Sequence, residues 1–154
     1  MNEQKFIVFG SPLLGDAEID SVTTTLRSAW IGTGPRVQEF EKAMRDYSGA
    51  PYSAAVASCT AALHLSMVVA GVGPGDEVIT TALAFAATAN SIIHAGAVPV
   101  LVDVERDTMN IDPAAIEAAI TPRTKAIIVV HFAGRPCDMD AIAAIAARHD
   151  LLVI

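Results

Sequence analysis

A chain of 154 residues, 53% of them hydrophobic, is long enough to bury one core and rich enough in apolar side chains to fill it. The formal net charge of −7, with 10 basic residues scattered along the sequence, argues against binding to a nucleic-acid backbone. Apolar residues come in short blocks, none near the roughly 20 that a membrane-spanning helix needs, and residues 1–5 show no secretory pattern, so a cytoplasmic protein is expected. Cys59 and Cys137 lie far apart, in a spacing that suits neither a disulfide framework nor a zinc site, and they read as small, buried or half-buried thiols.

Two amphipathic patterns come first. Residues 16–29 read as a helix opening at Asp16, and residues 35–47 as a second helix that starts with Pro35 and carries Val37, Phe40, Met44 and Tyr47 at helical spacing. The connection Trp30-Ile31-Gly32-Thr33-Gly34-Pro35 joins two glycines to a proline; it is either a plain interhelical loop or a place where backbone approaches a ligand.

From residue 53 the pattern changes to short apolar strands alternating with helices. Strands are expected at 53–57, 77–80, 98–102, 125–130 and 151–154, and helices at 60–70, 85–95, 113–119 and 139–149. Such alternation predicts an α/β fold with a mostly parallel sheet flanked by helices. The expected organisation is an N-terminal helical arm over residues 1–52 followed by an α/β domain over 53–154. The sequence ends inside the apolar run Leu151-Leu152-Val153-Ile154, which suggests a fragment.

In open parallel sheets ligands bind outside the carboxyl ends of the strands, which directs attention to three places. Ser58-Cys59-Thr60 sits where an apolar run turns into a helix; unpaired N–H groups at a helix start bind phosphate, and a simple Ser/Thr cap explains the same residues. Phe85 opens the helix after the second strand, where a ring can cover a planar cofactor or belong to the core; Thr88 and Asn90 follow it, facing the same edge or solvent. His131 follows the strand 125–130 and is the only histidine with such an address, since His64, His94 and His149 read as helix residues without metal-ligand spacing. Asp138 reads as a helix cap. Gly71-Val72-Gly73-Pro74-Gly75 follows a helix and precedes a strand, the reverse of a dinucleotide fingerprint, and reads as a turn.

Taken in order, residues 30–41, Ser58 to Leu63, Pro74 to Ile79, Phe85 to Asn90, Pro99 to Asp103, Asn110 to Pro113 and His131 to Asp140 resemble the DegT/DnrJ/EryC1/StrS family of sugar aminotransferases, over nearly the whole chain. The resemblance implies the N-terminal part of the large domain of a type I pyridoxal 5′-phosphate (PLP) transferase, similar to aspartate aminotransferase and working as a homodimer. It implies that Ser58, Cys59 and Thr60 hold the cofactor phosphate, with Cys59 standing where many relatives carry a smaller residue. It further implies that Phe85 stacks on the pyridine ring, that His131 belongs to the cofactor site, and that Ile31, Thr33 and Gly34 lie near a nucleotide-sugar substrate, with an amino acid as amino donor.

By the same resemblance, an acidic partner for the ring nitrogen and a cofactor-binding lysine would follow the strand at 151–154; Lys5, Lys42 and Lys125 all precede it. No catalytic residue is therefore assigned, and the chain alone is expected to be inactive. A PLP-dependent sugar dehydratase, in which histidine replaces that lysine, and a noncatalytic remnant or assembly partner stand as alternatives.

Overall fold

The computed structural model describes residues 10–154. The chain divides into two compact units, one running to Ala55 and the other from Val56 to Ile154.

The first unit holds two helices, α1 (Asp16–Arg27) and α2 (Pro35–Ser48). Helix α1 starts where the Glu18 carboxylate reaches back to the Gly15 N–H at 2.7 Å. Helix α2 starts with Pro35, whose missing N–H costs nothing at a first-turn position, and ends at Gly49 with φ +72°. Ile19, Val22, Leu26, Phe40 and Met44 are all exposed along these helices.

The second unit is a layered α/β structure. Its elements are α3 (Cys59–Val69), β1 (Glu77–Thr81), α4 (Ala86–His94), β2 (Val98–Val102), α5 (Pro113–Ala119), β3 (Thr124–Ile128), α6 (Met139–His149) and β4 (Leu152–Val153). The four strands are parallel, in the order β2-β1-β3-β4. Because successive strand residues point to opposite faces, β1 and β3 feed two cores. Val78, Ala126 and Ile128 pack with Met67 of α3 and Ile92 of α4 on one face. Ile79 and Ile127 pack with Ile116 of α5 and Ile142 and Ile145 of α6 on the other. All five residues of β1 are buried, as a central strand covered on both faces requires.

The strand expected at 53–57 is not formed. An apolar run reports burial, but a strand also needs a neighbour with which to share backbone hydrogen bonds, and Ser53-Ala54-Ala55-Val56-Ala57 has none among the described residues; the Ala55 N–H donates instead to the Glu41 carboxylate at 2.9 Å. The strand expected at 125–130 ends at Ile128, and the one at 151–154 is reduced to Leu152 and Val153. The turn at 71–75 is confirmed as structural. Gly75 adopts φ +94°, a left-handed conformation that glycine takes without penalty, and Pro74 packs under Gly96.

The amino end of the sheet is tied by a polar cluster. Glu77, only 7% exposed, accepts a hydrogen bond from the Thr121 hydroxyl at 2.5 Å and from Arg123, whose Nε lies at 3.0 Å. The Thr121 hydroxyl first, and the Arg123 guanidinium second, hold its carboxyl below the usual glutamate value. A carboxylate lowered in this way stabilises the fold above the ordinary glutamate range and loses that contribution as pH falls through its folded value. Glu77→Gln is therefore expected to lower the melting temperature at pH 7, with the gap from the parent narrowing in acid. Parallel thermal melts across pH check this, and a gap that widens in acid contradicts it.

Candidate functional site

The direction of the helices decides which residues share an edge. Helix α4 crosses between parallel neighbours β1 and β2, so it runs antiparallel to them and starts at their carboxyl edge. Helix α3 packs in the same core layer and reaches β1 through the turn at residues 70–76. Its 11 residues span about 16 Å, close to the roughly 17 Å of five-residue β1, which returns its start to the carboxyl edge. The segments after β1 and β3 leave the sheet from adjacent strands at that edge. Ser58 to Thr60, Phe85 and His131 are thus brought to one side of the second unit.

Ser58 caps α3: its Oγ accepts the Ala61 N–H at 3.1 Å, and its carbonyl accepts that of Ala62 at 3.0 Å. The N–H groups of Cys59 and Thr60 have no acceptor among the described residues, as expected for the first turn of a helix. Both cap and anion-binding readings of this sequence are therefore compatible, since capping uses a different N–H from the two left free. Ser58, Cys59 and Thr60 are all exposed.

Phe85 is the residue before α4, and it is 82% exposed. So large an apolar ring gains nothing from this position by burial within the unit, which argues against the core reading. Thr88, by contrast, is buried and its carbonyl accepts the Ser91 hydroxyl at 2.8 Å, so it belongs to the helix core and not to the edge; Asn90 is exposed.

His131 lies three residues beyond the end of β3 and is exposed. Its Nδ1 accepts the Cys137 N–H at 3.1 Å across a short 3₁₀ turn, Phe132–Gly134. Asp138 caps α6, accepting the Ala141 N–H at 3.0 Å, as expected. The residue that sequence reasoning missed here is Asn110, which is buried and hydrogen-bonded to this turn. Its partners lie 22 to 26 residues away in sequence, a separation that no local pattern reveals.

Ile31, Thr33 and Gly34 belong to the first unit. Ile31 and Thr33 are exposed and Gly34 is buried. The Trp30 indole Nε1 donates to the Thr33 carbonyl at 2.9 Å, and a Cβ at position 34 would come within 2.3 Å of the indole, so this close approach demands glycine.

The described lysines are engaged elsewhere. Lys42 Nζ pairs with Asp46 at 2.5 Å along α2, and Lys125 Nζ lies 2.5 Å from the Gly71 carbonyl and 3.4 Å from Asp76, beside the turn that leads into the amino end of β1.

The two thiols differ sharply. Cys137 is buried, donates to the Val130 carbonyl at 3.3 Å, and is pushed up from the ordinary thiol value by desolvation, whereas Cys59 is exposed at the start of α3, so the buried or half-buried reading fails for Cys59. Iodoacetamide is expected to label Cys59 and spare Cys137 in the native protein, as read by peptide mass spectrometry, with phosphate slowing the reaction at Cys59. Equal labelling of both contradicts this arrangement.

Among the described residues, no helix is long and apolar enough to cross a membrane. Comparison with known proteins bears on the same residues. The model of the DegT/DnrJ/EryC1/StrS aminotransferase family matches residues 12–154. The chain is 54% identical over 149 residues to the spore coat polysaccharide biosynthesis protein SpsC of Bacillus subtilis (strain 168), covering 97% of this chain and 38% of that protein. Its structure is similar to the PLP form of the putative sugar aminotransferase Spr1654 from Streptococcus pneumoniae, with a TM-score of 0.89 and 43% identity over 95% of this chain and 38% of that one. It is similar also to 3-amino-5-hydroxybenzoic acid synthase, with a TM-score of 0.88 and 42% identity over 92% of this chain and 38% of that one. The chain therefore spans less than two fifths of the length of these relatives. Its parallel sheet and flanking helices are those of the type I PLP-dependent transferases. On this match over nearly all its residues, the chain belongs to the DegT/DnrJ/EryC1/StrS family of PLP-dependent aminotransferases.

Proposed function

We propose that this chain is the cofactor-binding part of an aminotransferase that moves an amino group from an amino-acid donor, glutamate being the first candidate, to a keto-sugar nucleotide. The observation that carries this reading is the juxtaposition, at one sheet edge, of two N–H groups without acceptors at Cys59 and Thr60 and an exposed aromatic ring at Phe85. A phosphorylated planar cofactor needs both features.

The residues present fit PLP. Ser58, Cys59 and Thr60 would hold its phosphate, because the free N–H groups and the positive end of the α3 dipole favour an anion and two hydroxyls can add hydrogen bonds. Phe85 would cover one face of the pyridine ring; stacking of this kind contributes about 0.5–1.5 kcal/mol beyond area burial. His131 would offer an imidazole nitrogen at the same edge. When bound, PLP supplies the electron sink that lets an amino group be exchanged.

In the proposed division of labour, Ile31, Thr33 and Gly34, between α1 and α2 of the N-terminal arm expected from the sequence, would meet the sugar nucleotide, and the α/β domain expected over residues 53–154 would hold the cofactor. A homodimer is proposed as the working form. The exposed apolar side chains of α1 and α2 support it, since a stripe of that kind is usually covered by a partner surface. A cytoplasmic location accords with this chemistry.

The chain by itself is proposed to be inactive, because the family resemblance puts the cofactor-binding lysine after the strand at 151–154, whereas Lys5, Lys42 and Lys125 all precede that strand. The test incubates the 154-residue protein, and separately a protein of the relatives' full length, with PLP, glutamate and a keto-sugar nucleotide, followed by borohydride and mass spectrometry. Amino-sugar product and one reducible adduct are expected only in the longer protein. Turnover by the 154 residues, or a single adduct on Lys42 or Lys125, would overturn the proposal.

A further inference from the structure

Asn110 directs three side-chain hydrogen bonds, both of its donors among them, at one turn. It is 2% exposed, and its Nδ2 donates to the carbonyls of Arg135 and Pro136, each at 3.0 Å, while its Oδ1 accepts the Phe132 N–H at 2.9 Å. One amide group therefore grips both ends of the 3₁₀ turn at residues 132–134. The turn needs holding, because Ala133 takes φ +52° and ψ +26°, a left-handed conformation that costs a residue with a Cβ about 1–2 kcal/mol.

The consequence falls on His131. Once the turn is closed, the Cys137 N–H lies 3.1 Å from Nδ1 of the imidazole. A backbone N–H can only donate, so Nδ1 of the neutral ring must be the acceptor and its proton must sit on Nε2. The exposed ring therefore presents a donor.

We propose that Asn110 is a positioning residue that acts through the 131–137 turn to fix neutral His131 as the Nε2–H tautomer, making it a hydrogen-bond donor to a ligand oxygen at the carboxyl edge. The inference rests on the cofactor reading of that edge only for the nature of the ligand. The tautomer itself is measured without cofactor, so failure of either reading can be told from failure of the other. Asn110 is buried and engaged with the turn, so its effect is exerted through His131, by deciding which imidazole nitrogen carries the proton.

The experiment is long-range ¹H–¹⁵N NMR of the imidazole nitrogens in uniformly ¹⁵N-labelled protein at mildly alkaline pH, with amide exchange followed at Cys137. In the parent, His131 is expected to show one protonated nitrogen, Nε2, and one unprotonated nitrogen, Nδ1, with a slowly exchanging Cys137 amide. In Asn110→Ala and in the near-isosteric Asn110→Asp, which places a carboxylate against two carbonyls, the two shifts are expected to move toward each other and Cys137 exchange to accelerate. The resonances of His64, His94 and His149 should not move. Binding of pyridoxamine 5′-phosphate, titrated in parallel, is expected to weaken about tenfold, the loss of one hydrogen bond. A parent His131 that is Nδ1–H or mixed overturns the proposal, as does a folded variant with an unchanged His131 tautomer. Unfolding of both variants also overturns it, because Asn110 would then be a requirement of the fold and not of the ring. Absent cofactor binding with the expected tautomers would sink the cofactor reading alone.

Discussion

Cys59→Asp is expected to weaken binding of pyridoxamine 5′-phosphate by about a hundredfold while leaving the protein folded. The aldehyde-free form of the cofactor is the right probe, since it cannot form adducts with Lys42 or Lys125 and reports on the noncovalent site alone. The substituted carboxylate would stand on the first residue of α3, beside the N–H groups proposed to take the phosphate. Two unit charges at 4 Å interact by about 1 kcal/mol in water and about 4 kcal/mol at an effective dielectric constant of 20; the phosphate carries up to two charges, so a penalty near 3 kcal/mol is a middle value. The same carboxylate favours the helix, because an acidic residue in the first turn complements the macrodipole. Weaker binding with undiminished thermal stability is thus the signature of an anion site. Calorimetric titration and a thermal melt read the two quantities separately. Cys59→Ser, which keeps the backbone and adds no charge, should bind as the parent does.

Ile127→Ala is expected to cost about 2–5 kcal/mol, a large part of the 5–15 kcal/mol that typical domains have to spare. Ile127 is fully buried in β3, between Ile79 of β1 and Val153 of β4, and packs against α5 and α6. Its loss leaves a cavity in an interior strand, where neighbours paired on both sides cannot collapse into the gap. With a urea dependence of about 1–3 kcal/mol per molar, the midpoint should fall by about 1–2 M. Leu152→Ala, on the short strand β4 where the side chain is already 48% exposed, should lose less than half as much. Equal losses at the two positions would mean that the sheet is not layered as described. The site shares in this scaffold, since both segments that carry Phe85 and His131 leave the sheet from β1 and β3.

The fold was largely legible because its punctuation is local. The short apolar runs expected as strands at 77–80, 98–102 and 125–130 are bounded by Pro74-Gly75, Gly96 and Pro122, and all three form strands between helices, β1 buried along its whole length. The misread segment, 53–57, shows the limit: hydrophobicity says that residues avoid water but not which backbone they pair with. Thr88 illustrates the same limit on a helix, where a polar residue near the expected edge turned inward because its position on the helical face put it in the core. Ser58 was legible as a cap because capping acts over three residues, and Phe85 as the residue at the start of α4 because it stands at a strand-to-helix switch. Asn110 was not, since its role exists only once the segment after β2 and the turn after β3 are brought together by the sheet. Its neighbour Asp112, by contrast, was visible in principle as the cap of α5, where it accepts the Ala114 N–H at 2.8 Å just before Pro113.

Whether one edge of the second unit is a cofactor site is decided by amide shift mapping of ¹⁵N-labelled protein during titration with pyridoxamine 5′-phosphate. Saturable shifts are expected, centred on Cys59 and Thr60, extending to Phe85 and His131 and reversed by excess inorganic phosphate. Shifts confined to other residues, or none at saturating ligand, would contradict a cofactor site at that edge.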